Sequence, residues 1–132
     1  MLTLIDQGTA AYVAPEVHHG RISVDIDAYA LGVVVLEVIS GLSVSRPVPT
    51  HATIKDFAAE YWEGDIWPLL DPKIKWNEDI ACELISFSRR CLDTHPNRRP
   101  KMHTAVFVLE ELTEGGTRLR HTFNAQHRQV YR

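Results

Sequence analysis

The amino-acid sequence predicts an all-α domain. Three segments carry apolar residues at helical spacing, and each follows a residue that is typical of a helix start. A fourth segment, residues 26–39, is apolar on nearly every side and is longer than an ordinary strand of about 4–8 residues. No stretch shows the sustained alternation of a half-buried strand. The length of 132 residues is enough for one domain.

The apolar segment of residues 26–39 is bounded by helix signals on both sides. Ser23 suits the N-cap position. Asp25 and Asp27 fall in the first turn, where the helix dipole favours acidic side chains, and Gly41 follows as a stop. A helix that is apolar all round must be enclosed by other elements. We therefore expect this segment to form the central helix of the domain.

Two short helical segments flank the central one. Pro15 suits the first turn of a short helix that Gly20 ends. Thr53 and Asp56 have the spacing of a capping box, with Asp in place of Glu. They precede a helix that we expect to begin at Ile54 and end at Trp62.

Two longer helices are predicted in the second half of the chain. Asn77 suits the N-cap of one, and Pro100 suits the first turn of the other. Their apolar residues recur three or four positions apart: Ile80, Leu84, Phe87 and Cys91 in the first helix, and Met102, Val106, Leu109 and Leu112 in the second. Pro68 and Pro72 limit the preceding segment to one short turn.

Composition and charge restrict the class of protein. The hydrophobic share of 45% and the charged share of 23% are ordinary for globular domains, which excludes collagen, coiled coil and wholesale disorder. A net charge of −3 argues against a dedicated nucleic-acid binder. The N-terminal residues lack the pattern of a signal peptide, and residues 26–39 are too few to span a bilayer. We expect a cytoplasmic protein without a membrane span, with a flexible basic tail over residues 114–132.

Three blocks of sequence carry a resemblance to a known family. Residues 8–16 read GTAAYVAPE and end on the Ala-Pro-Glu triplet, a signature element of protein kinases. Asp27 then opens the run DAYALGVVVLE, and residues 90–100 read RCLDTHPNRRP. In this order and spacing the blocks resemble the end of a kinase activation segment, the central helix, and the linker between the last two main helices of the C-terminal lobe. The resemblance covers residues 4–113.

The closest likeness is to the tyrosine-kinase-like Ser/Thr group, which includes interleukin-receptor-associated kinases, Pelle and plant receptor-like kinases. It implies an all-α partial kinase domain over residues 1–113, the lower part of a helical C-lobe without the N-lobe or the catalytic loop. The intact parent would transfer phosphate from ATP to protein serine or threonine in signal transduction. Its context would be a membrane receptor or an adaptor, with this region on the cytoplasmic side.

The resemblance also assigns structural anchors. Glu16 and Arg99 match the pair that ties the activation segment to the helical floor, and the planar fork of arginine suits a partly buried carboxylate. The alternative is that both are unpaired surface charges. Asp27 matches the aspartate that accepts hydrogen bonds from the catalytic-loop backbone, although compensation of the helix dipole would explain it as well. Ala14, Pro15 and Gly32 complete the set of anchors: Ala14, Pro15, Glu16, Asp27, Gly32 and Arg99.

The resemblance places the loop that faces the substrate at Gly8, Thr9 and Tyr12. The threonine matches the residue beside the acceptor in Ser/Thr kinases, where its hydroxyl bridges the catalytic aspartate and lysine. A generic loop threonine is the alternative. Because tyrosine kinases have a proline-containing motif here, the pattern favours serine and threonine acceptors.

Phosphoryl transfer needs a glycine-rich loop, a lysine paired with a glutamate, a catalytic Asp and Asn, and a magnesium-binding Asp-Phe-Gly. The 132 residues contain neither Gly-x-Gly-x-x-Gly nor His-Arg-Asp nor Asp-Phe-Gly. We therefore expect no catalytic residue, no metal ligand and no cofactor-binding residue in this chain, and expect ATP and Mg²⁺ only in the intact parent. Two hypotheses stay open. One is an inactive C-terminal fragment of a Ser/Thr kinase, and the other is a pseudokinase-like module that docks partners through the segment from Ile54 to Trp62.

Overall fold

The structure is a computed structural model that describes residues 10–44 and 51–112. Every regular element in these two ranges is helical, and neither range contains a strand. The α-helices are α1 (Asp25–Ser40), α2 (Ile54–Ala59), α3 (Glu78–Cys91) and α4 (residues 102–112). Three 3₁₀ helices cover Pro15–His19, Trp67–Leu69 and Pro96–Arg98. The all-α prediction is confirmed.

The chain divides into two compact units, Met1–Pro100 and Lys101–Arg132. The first contains α1, α2 and α3 together with the 3₁₀ helices. In the second, the described part is α4, which opens with a hydrogen bond from the Ala105 N–H to the Lys101 carbonyl of 2.9 Å. The predicted boundary between residues 113 and 114 and the predicted basic tail lie outside the described residues.

Helix α1 forms where the sequence predicts it. It begins at Asp25, and its N-cap is Val24, which makes no side-chain cap bond, so the predicted N-cap at Ser23 is wrong by one residue. The Ser23 hydroxyl still accepts the Asp25 N–H at 3.2 Å. The helix ends at Gly41, which adopts the left-handed conformation at φ 69° and donates its N–H to the Glu37 carbonyl at 2.9 Å. Glycine is favoured there because a side chain is strained at positive φ.

The core lies where α1 packs against α3, and Gly32 sets how closely they approach. A Cβ atom added to Gly32 would lie 2.7 Å from the Cβ of Cys91 and 3.0 Å from the Cγ of Leu92. The Ser88 hydroxyl donates to the Gly32 carbonyl at 2.8 Å, which satisfies both buried polar groups. The first unit also has large apolar side chains that are fully buried: Val33, Leu36, Ile39, Phe87 and Leu92.

One side of α1 is not enclosed by the described residues. Val34 is 43% exposed and Val38 is 61% exposed, and Asp27 is exposed on the first turn. Positions 27, 34 and 38 are seven and four residues apart, so they follow one side of the helix. The expectation that the central helix is enclosed on every side is therefore wrong for the part of the chain that the structure describes. Three consecutive valines indicate that the helix is apolar, but they do not indicate which side of it packs against another helix.

Helices α2 and α3 begin at the predicted caps. The Thr53 hydroxyl accepts the Asp56 N–H at 3.1 Å, and the Asn77 side-chain oxygen accepts the Ile80 N–H at 3.1 Å. Helix α2 ends at Ala59, earlier than the predicted end at Trp62. The backbone tightens there into bonds between residues three apart, such as that from the Tyr61 N–H to the Ala58 carbonyl at 3.0 Å.

The two cysteines differ in their surroundings, and both are free thiols. Cys91 is buried in the core, and burial raises its pKa to about 11. Cys82 is exposed on α3. Within residues 10–44 and 51–112, no helix is long and apolar enough to cross a membrane.

Candidate functional site

Glu16 and Arg99 form a two-pronged ion pair inside the first unit. The two side chains are separated by 83 positions in the sequence. The Arg99 Nη1 donates to Glu16 Oε1 at 2.6 Å, and the Arg99 Nη2 donates to Glu16 Oε2 at 2.9 Å. Glu16 is 7% exposed and Arg99 is 3% exposed. The two hydrogen bonds between the planar groups make this a strong ion pair. Because the pair is buried, removing only one of the two side chains would leave an uncompensated charge and lower stability.

The remaining donors of Arg99 reach backbone carbonyls from two other segments. Its Nε donates to the Asp93 carbonyl at 2.9 Å, and its Nη1 donates to the Asp25 carbonyl at 3.1 Å. The carbon of the guanidinium lies 5.1 Å from the centre of the Tyr29 ring. The guanidinium thereby joins the 3₁₀ helix of Glu16, the start of α1 and the end of α3. A buried cation is tolerated here because its polar hydrogens find acceptors.

The local sequence explains how Glu16 is held. Ala14 is buried and precedes the 3₁₀ helix Pro15–His19, in which Pro15 is the first residue. Proline fits the first position because its fixed φ matches the helix and it lacks an N–H that would be left unpaired. Gly20 ends the turn at φ 73°, and the Arg21 N–H donates to the Glu16 carbonyl at 3.1 Å. Both the side chain and the backbone of Glu16 are therefore fixed.

A second turn holds Arg99. The 3₁₀ helix Pro96–Arg98 directs the chain, and the Arg99 N–H donates to the Pro96 carbonyl at 3.2 Å. The Asp93 carboxylate accepts the His95 N–H at 2.8 Å, and this bond holds the pKa of Asp93 below its usual value. The linker that the resemblance places at residues 90–100 thus contains the turn that directs the Arg99 side chain towards Glu16.

The charge state of Glu16 follows from its partner. The hydrogen bonds from Arg99 lower the pKa of Glu16, against the opposing effect of burial. Hydrogen bonds to the ionised form outweigh desolvation here because the two contacts are short and parallel. The carboxylate is therefore charged at neutral pH.

Tyr12 is tied to α1 through Glu37. The Tyr12 hydroxyl donates to Glu37 Oε1, and the other carboxylate oxygen accepts the Val44 N–H at 3.2 Å. The hydrogen bond to Glu37 raises the pKa of Tyr12 to about 12, with a smaller contribution from burial. One carboxylate thus connects the loop before Ala14 with the loop that follows α1.

The other predicted site residues are not brought to the ion pair. Gly32 is buried where α1 crosses α3. Asp27 is exposed, and within the described ranges no hydrogen bond to its carboxylate is found. Gly8 and Thr9 lie outside the described residues.

The predicted docking segment presents charged groups around its aromatic residues. Glu63 Oε1 accepts from Arg89 Nη2 at 3.0 Å, and the Arg89 guanidinium lies 5.6 Å from the centre of the Trp62 ring. The indole N–H of Trp62 is buried and finds no hydrogen-bond acceptor among the described residues. His51 Nε2 and Glu60 Oε1, which lie just before and just after α2, are 2.7 Å apart.

Sequence reasoning missed the supporting residues Tyr29, Glu37 and Ser88. Tyr29 was counted as part of an apolar run, but its ring lies beside the Arg99 guanidinium. Glu37 interrupts that run, and a carboxylate on an otherwise apolar helix needs a donor, which was the available signal. Ser88 lies on the apolar side of α3, where a hydroxyl must find an acceptor across the interface.

Comparison with known proteins identifies the family. The family description "Protein kinase domain" matches residues 5–108. The chain belongs to the protein kinase family. Its kinase relatives in Arabidopsis thaliana include cysteine-rich receptor-like protein kinase 27, which is 35% identical over 81% of this chain and 17% of the relative.

Two further Arabidopsis relatives give the same result. Probable serine/threonine-protein kinase PBL4 is 37% identical over 80% of this chain and 27% of its own length. LRR receptor-like serine/threonine-protein kinase FEI 2 is 34% identical over 83% of this chain and 19% of its own length. The chain therefore spans less than a third of the length of each of these three relatives.

Proposed function

We propose that this chain is the anchoring and substrate-side part of the helical lobe of a Ser/Thr protein kinase. The observation that carries the proposal is the buried Glu16–Arg99 pair, which joins the Ala-Pro-Glu triplet to the turn after α3. The names of two relatives, which call them serine/threonine-protein kinases, support the choice of acceptor. We place the parent in the tyrosine-kinase-like group, with the plant receptor-like kinases, interleukin-receptor-associated kinases and Pelle. The cytoplasmic location and the receptor or adaptor context belong to the same proposal.

In this role the chain's residues position and do not react. Arg99 holds Glu16, and Glu16 fixes the end of the loop that faces the substrate. The bond between Tyr12 and Glu37 holds that loop against α1 from its other side. Thr9 of the same loop would lie beside the acceptor residue of the substrate, and the Asp27 carboxylate would accept hydrogen bonds from the backbone of a catalytic loop.

ATP and magnesium belong to the intact parent in this proposal. Bound together they would supply the transferred phosphoryl group and neutralise its charge. Within the described ranges no group of three or more His, Cys, Asp or Glu side chains is arranged to hold a metal ion. The proposal assigns no residue of this chain to the nucleotide or to magnesium, because the sequence lacks the motifs that bind them.

By itself the 132-residue chain is proposed to be inactive. The experiment incubates the purified chain with Mg²⁺, ATP labelled at the γ-phosphate, and peptides carrying serine, threonine or tyrosine. No labelled peptide is expected. Transfer above the rate of a heat-denatured sample would overturn the inactivity. Transfer to tyrosine by a longer product that includes the preceding coding sequence would overturn the choice of acceptor.

The anchoring role has its own test in that longer product. Arg99→Ala is expected to lower transfer to the serine or threonine peptide because Glu16 loses both donors. Arg98→Ala is the matched control, since Arg98 is the exposed neighbour in the same turn. Equal activity of the two variants would remove the ion pair from the proposal.

The second candidate is a pseudokinase-like docking module without catalysis. The exposed Val34 and Val38 favour it, because apolar side chains on a surface mark interfaces. The segment from Ile54 to Trp62 would face the partner or regulator. A monodisperse, protease-resistant 132-residue chain supports this candidate, whereas aggregation or rapid cleavage supports the fragment.

A further inference from the structure

Lys55 of α2 has a half-buried ammonium group. Its Nζ lies 5.2 Å from the centre of the Tyr29 ring, a distance at which an aromatic face attracts a cation. Burial lowers the pKa of Lys55, and the Arg99 cation lowers it further, while Asp56 and Asp93 act in the opposite direction. No carboxylate within residues 10–44 and 51–112 comes within 4.0 Å of this ammonium. The Tyr29 ring is therefore the partner that holds it.

The same ring also contacts Arg99. The guanidinium carbon lies 5.1 Å from the ring centre, almost the same distance as the ammonium of Lys55. Tyr29 itself is buried on α1. One aromatic ring is thus shared by a cation of α2 and by the cation of the Glu16–Arg99 pair.

Helix α2 depends on such contacts for its position. It has six residues, and an isolated helix shorter than about 12 residues is barely stable in water. Two of its side chains, Ile54 and Ala58, are buried. Lys55 adds a third contact, and it is the charged one. Anything that moves α2 therefore acts on the ring that supports Arg99.

We propose that Lys55 couples α2 to the Glu16–Arg99 pair through the Tyr29 ring, so that removing the charge of Lys55 loosens residues 14–21 as well as α2. The two cations also repel each other, which would give the opposite result. The repulsion is small because the Glu16 carboxylate neutralises Arg99 at 2.6 and 2.9 Å. Loss of the contact between the Lys55 ammonium and the Tyr29 ring is therefore the larger effect on residues 14–21. This coupling gives a partner that binds α2 an influence on the activation-segment anchor, and it does not require that the chain be part of an active kinase.

The test measures amide hydrogen exchange in the 132-residue chain. The reporters are the N–H groups of Val17, Gly20 and Arg21, which are hydrogen-bonded within or just after the 3₁₀ helix of Glu16. Lys55→Met removes the charge but keeps a long side chain. It should speed exchange at these amides by about two- to fivefold, as expected for loss of one exposed to half-buried cation–π contact.

Two controls isolate the charge of Lys55. Lys55→Arg keeps a cation over the ring and should exchange like the unchanged chain. Lys73→Met removes an exposed lysine elsewhere and should also have no effect on these amides. Equal exchange in Lys55→Met and Lys55→Arg would overturn the proposal, and so would an effect of Lys55→Met that is confined to α2.

Variants of Tyr29 test whether the ring carries the coupling. In Tyr29→Phe the ring remains, so Lys55→Met should still speed exchange at residues 17–21. In Tyr29→Leu the cation–π contact is gone, so Lys55→Met should add nothing further. If Tyr29→Leu does not fold, Tyr29→Phe decides alone: disappearance of the Lys55→Met effect there would contradict a coupling through the ring.

Discussion

The two sides of α1 have the same kind of residues and different surroundings. Val33 is 1% exposed where α1 packs on α3, and the next residue, Val34, is 43% exposed. On the buried side, Gly32 allows α3 to approach closely, and its carbonyl accepts a hydrogen bond from Ser88. The exposed side carries Asp27. Hydrophobicity therefore identifies a buried helix, but contacts of specific size and polarity decide which side is buried within this chain.

The carboxylates of Glu16 and Asp27 repeat this difference. The resemblance predicts both as anchors, yet Glu16 has its arginine within the first unit and Asp27 is exposed. Glu16 contributes to the stability of the folded chain because its partner, Arg99, lies in the same unit. An exposed carboxylate contributes little until something covers it.

The largest expected effect comes from breaking the buried anchor on one side. Arg99→Ala leaves the Glu16 carboxylate buried and uncompensated, which should lower the free energy of unfolding by about 3–5 kcal/mol. The measurement is the midpoint of urea denaturation. Asp27→Asn is the matched change on the exposed side and should shift stability by less than about 0.5 kcal/mol. If Arg99→Ala and Asp27→Asn lowered the free energy of unfolding equally, burial of the Glu16 carboxylate would contribute nothing beyond what the exposed Asp27 carboxylate contributes.

The anchor also gives stability a dependence on acid. Because Arg99 lowers the pKa of Glu16 in the folded chain, the unfolded chain takes up the proton first as the pH falls. The stabilisation is present above pH 4.5, the ordinary pKa of a glutamate side chain. It is lost as the pH falls through the lower pKa that Glu16 has in the folded chain. Denaturation midpoints between pH 7 and pH 3 should show this loss in the unchanged chain. Glu16→Gln should lack this part of the acid dependence, and an unaltered profile would argue against an ionised Glu16.

The next effect concerns the close approach of α1 and α3. Gly32→Ala places a Cβ atom 2.7 Å from the Cys91 Cβ, so the helices must separate. Overpacking of this kind costs about 1–3 kcal/mol, which a shift in the urea midpoint will measure. Gly64→Ala is the control, because a Cβ there meets nothing within 4 Å, and it should be neutral or slightly stabilising.

Neighbouring valines provide the direct test of the two sides of α1. Val33→Ala removes buried methyl groups and should cost about 2 kcal/mol. Val34→Ala makes the same chemical change at an exposed position and should cost less than about 0.5 kcal/mol. Thermal or urea unfolding of the pair gives the comparison. Similar losses for both would indicate that Val34 is covered in solution.

The smallest effect is expected at Tyr12. Tyr12→Phe removes one hydrogen bond to Glu37 and should cost about 1 kcal/mol at neutral pH. The pKa of Tyr12 is raised from 10.0 to about 12, so the unfolded chain loses its proton first as the pH rises. The contribution is present below pH 10 and is lost as the pH rises towards 12. Unfolding midpoints in that range should fall less steeply for Tyr12→Phe than for the unchanged chain.

The sequence allowed the helices and most of their caps to be predicted, because these depend on neighbouring residues; the exception is the N-cap of α1, which is Val24 and not Ser23. Thr53 and Asn77 cap α2 and α3 as expected, and Gly41 ends α1. The length of α2 was overestimated, since the change to three-residue hydrogen bonding after Ala59 has no clear residue signal.

The site was predictable to the extent that family motifs named its residues. The pairing of Glu16 with Arg99 was expected only from the resemblance, because no spacing rule joins residues so far apart in the chain. The contacts of Tyr29 and Lys55 were not expected, since a ring shared by two cations depends on how α1, α2 and the turn after α3 pack. Roles that require groups outside the described residues, including those of Gly8, Thr9 and Asp27, stay predictions.

The unequal cysteines of α3 give the molecule a built-in reporter of its own opening. Cys82 is exposed and can react with a thiol reagent without any opening of the fold, whereas Cys91, packed against Gly32, is reachable only when α3 separates from α1. The slow phase of labelling therefore times the separation of those two helices in an unmodified chain, without any engineered probe. A serine at position 82 would leave that phase as the only signal.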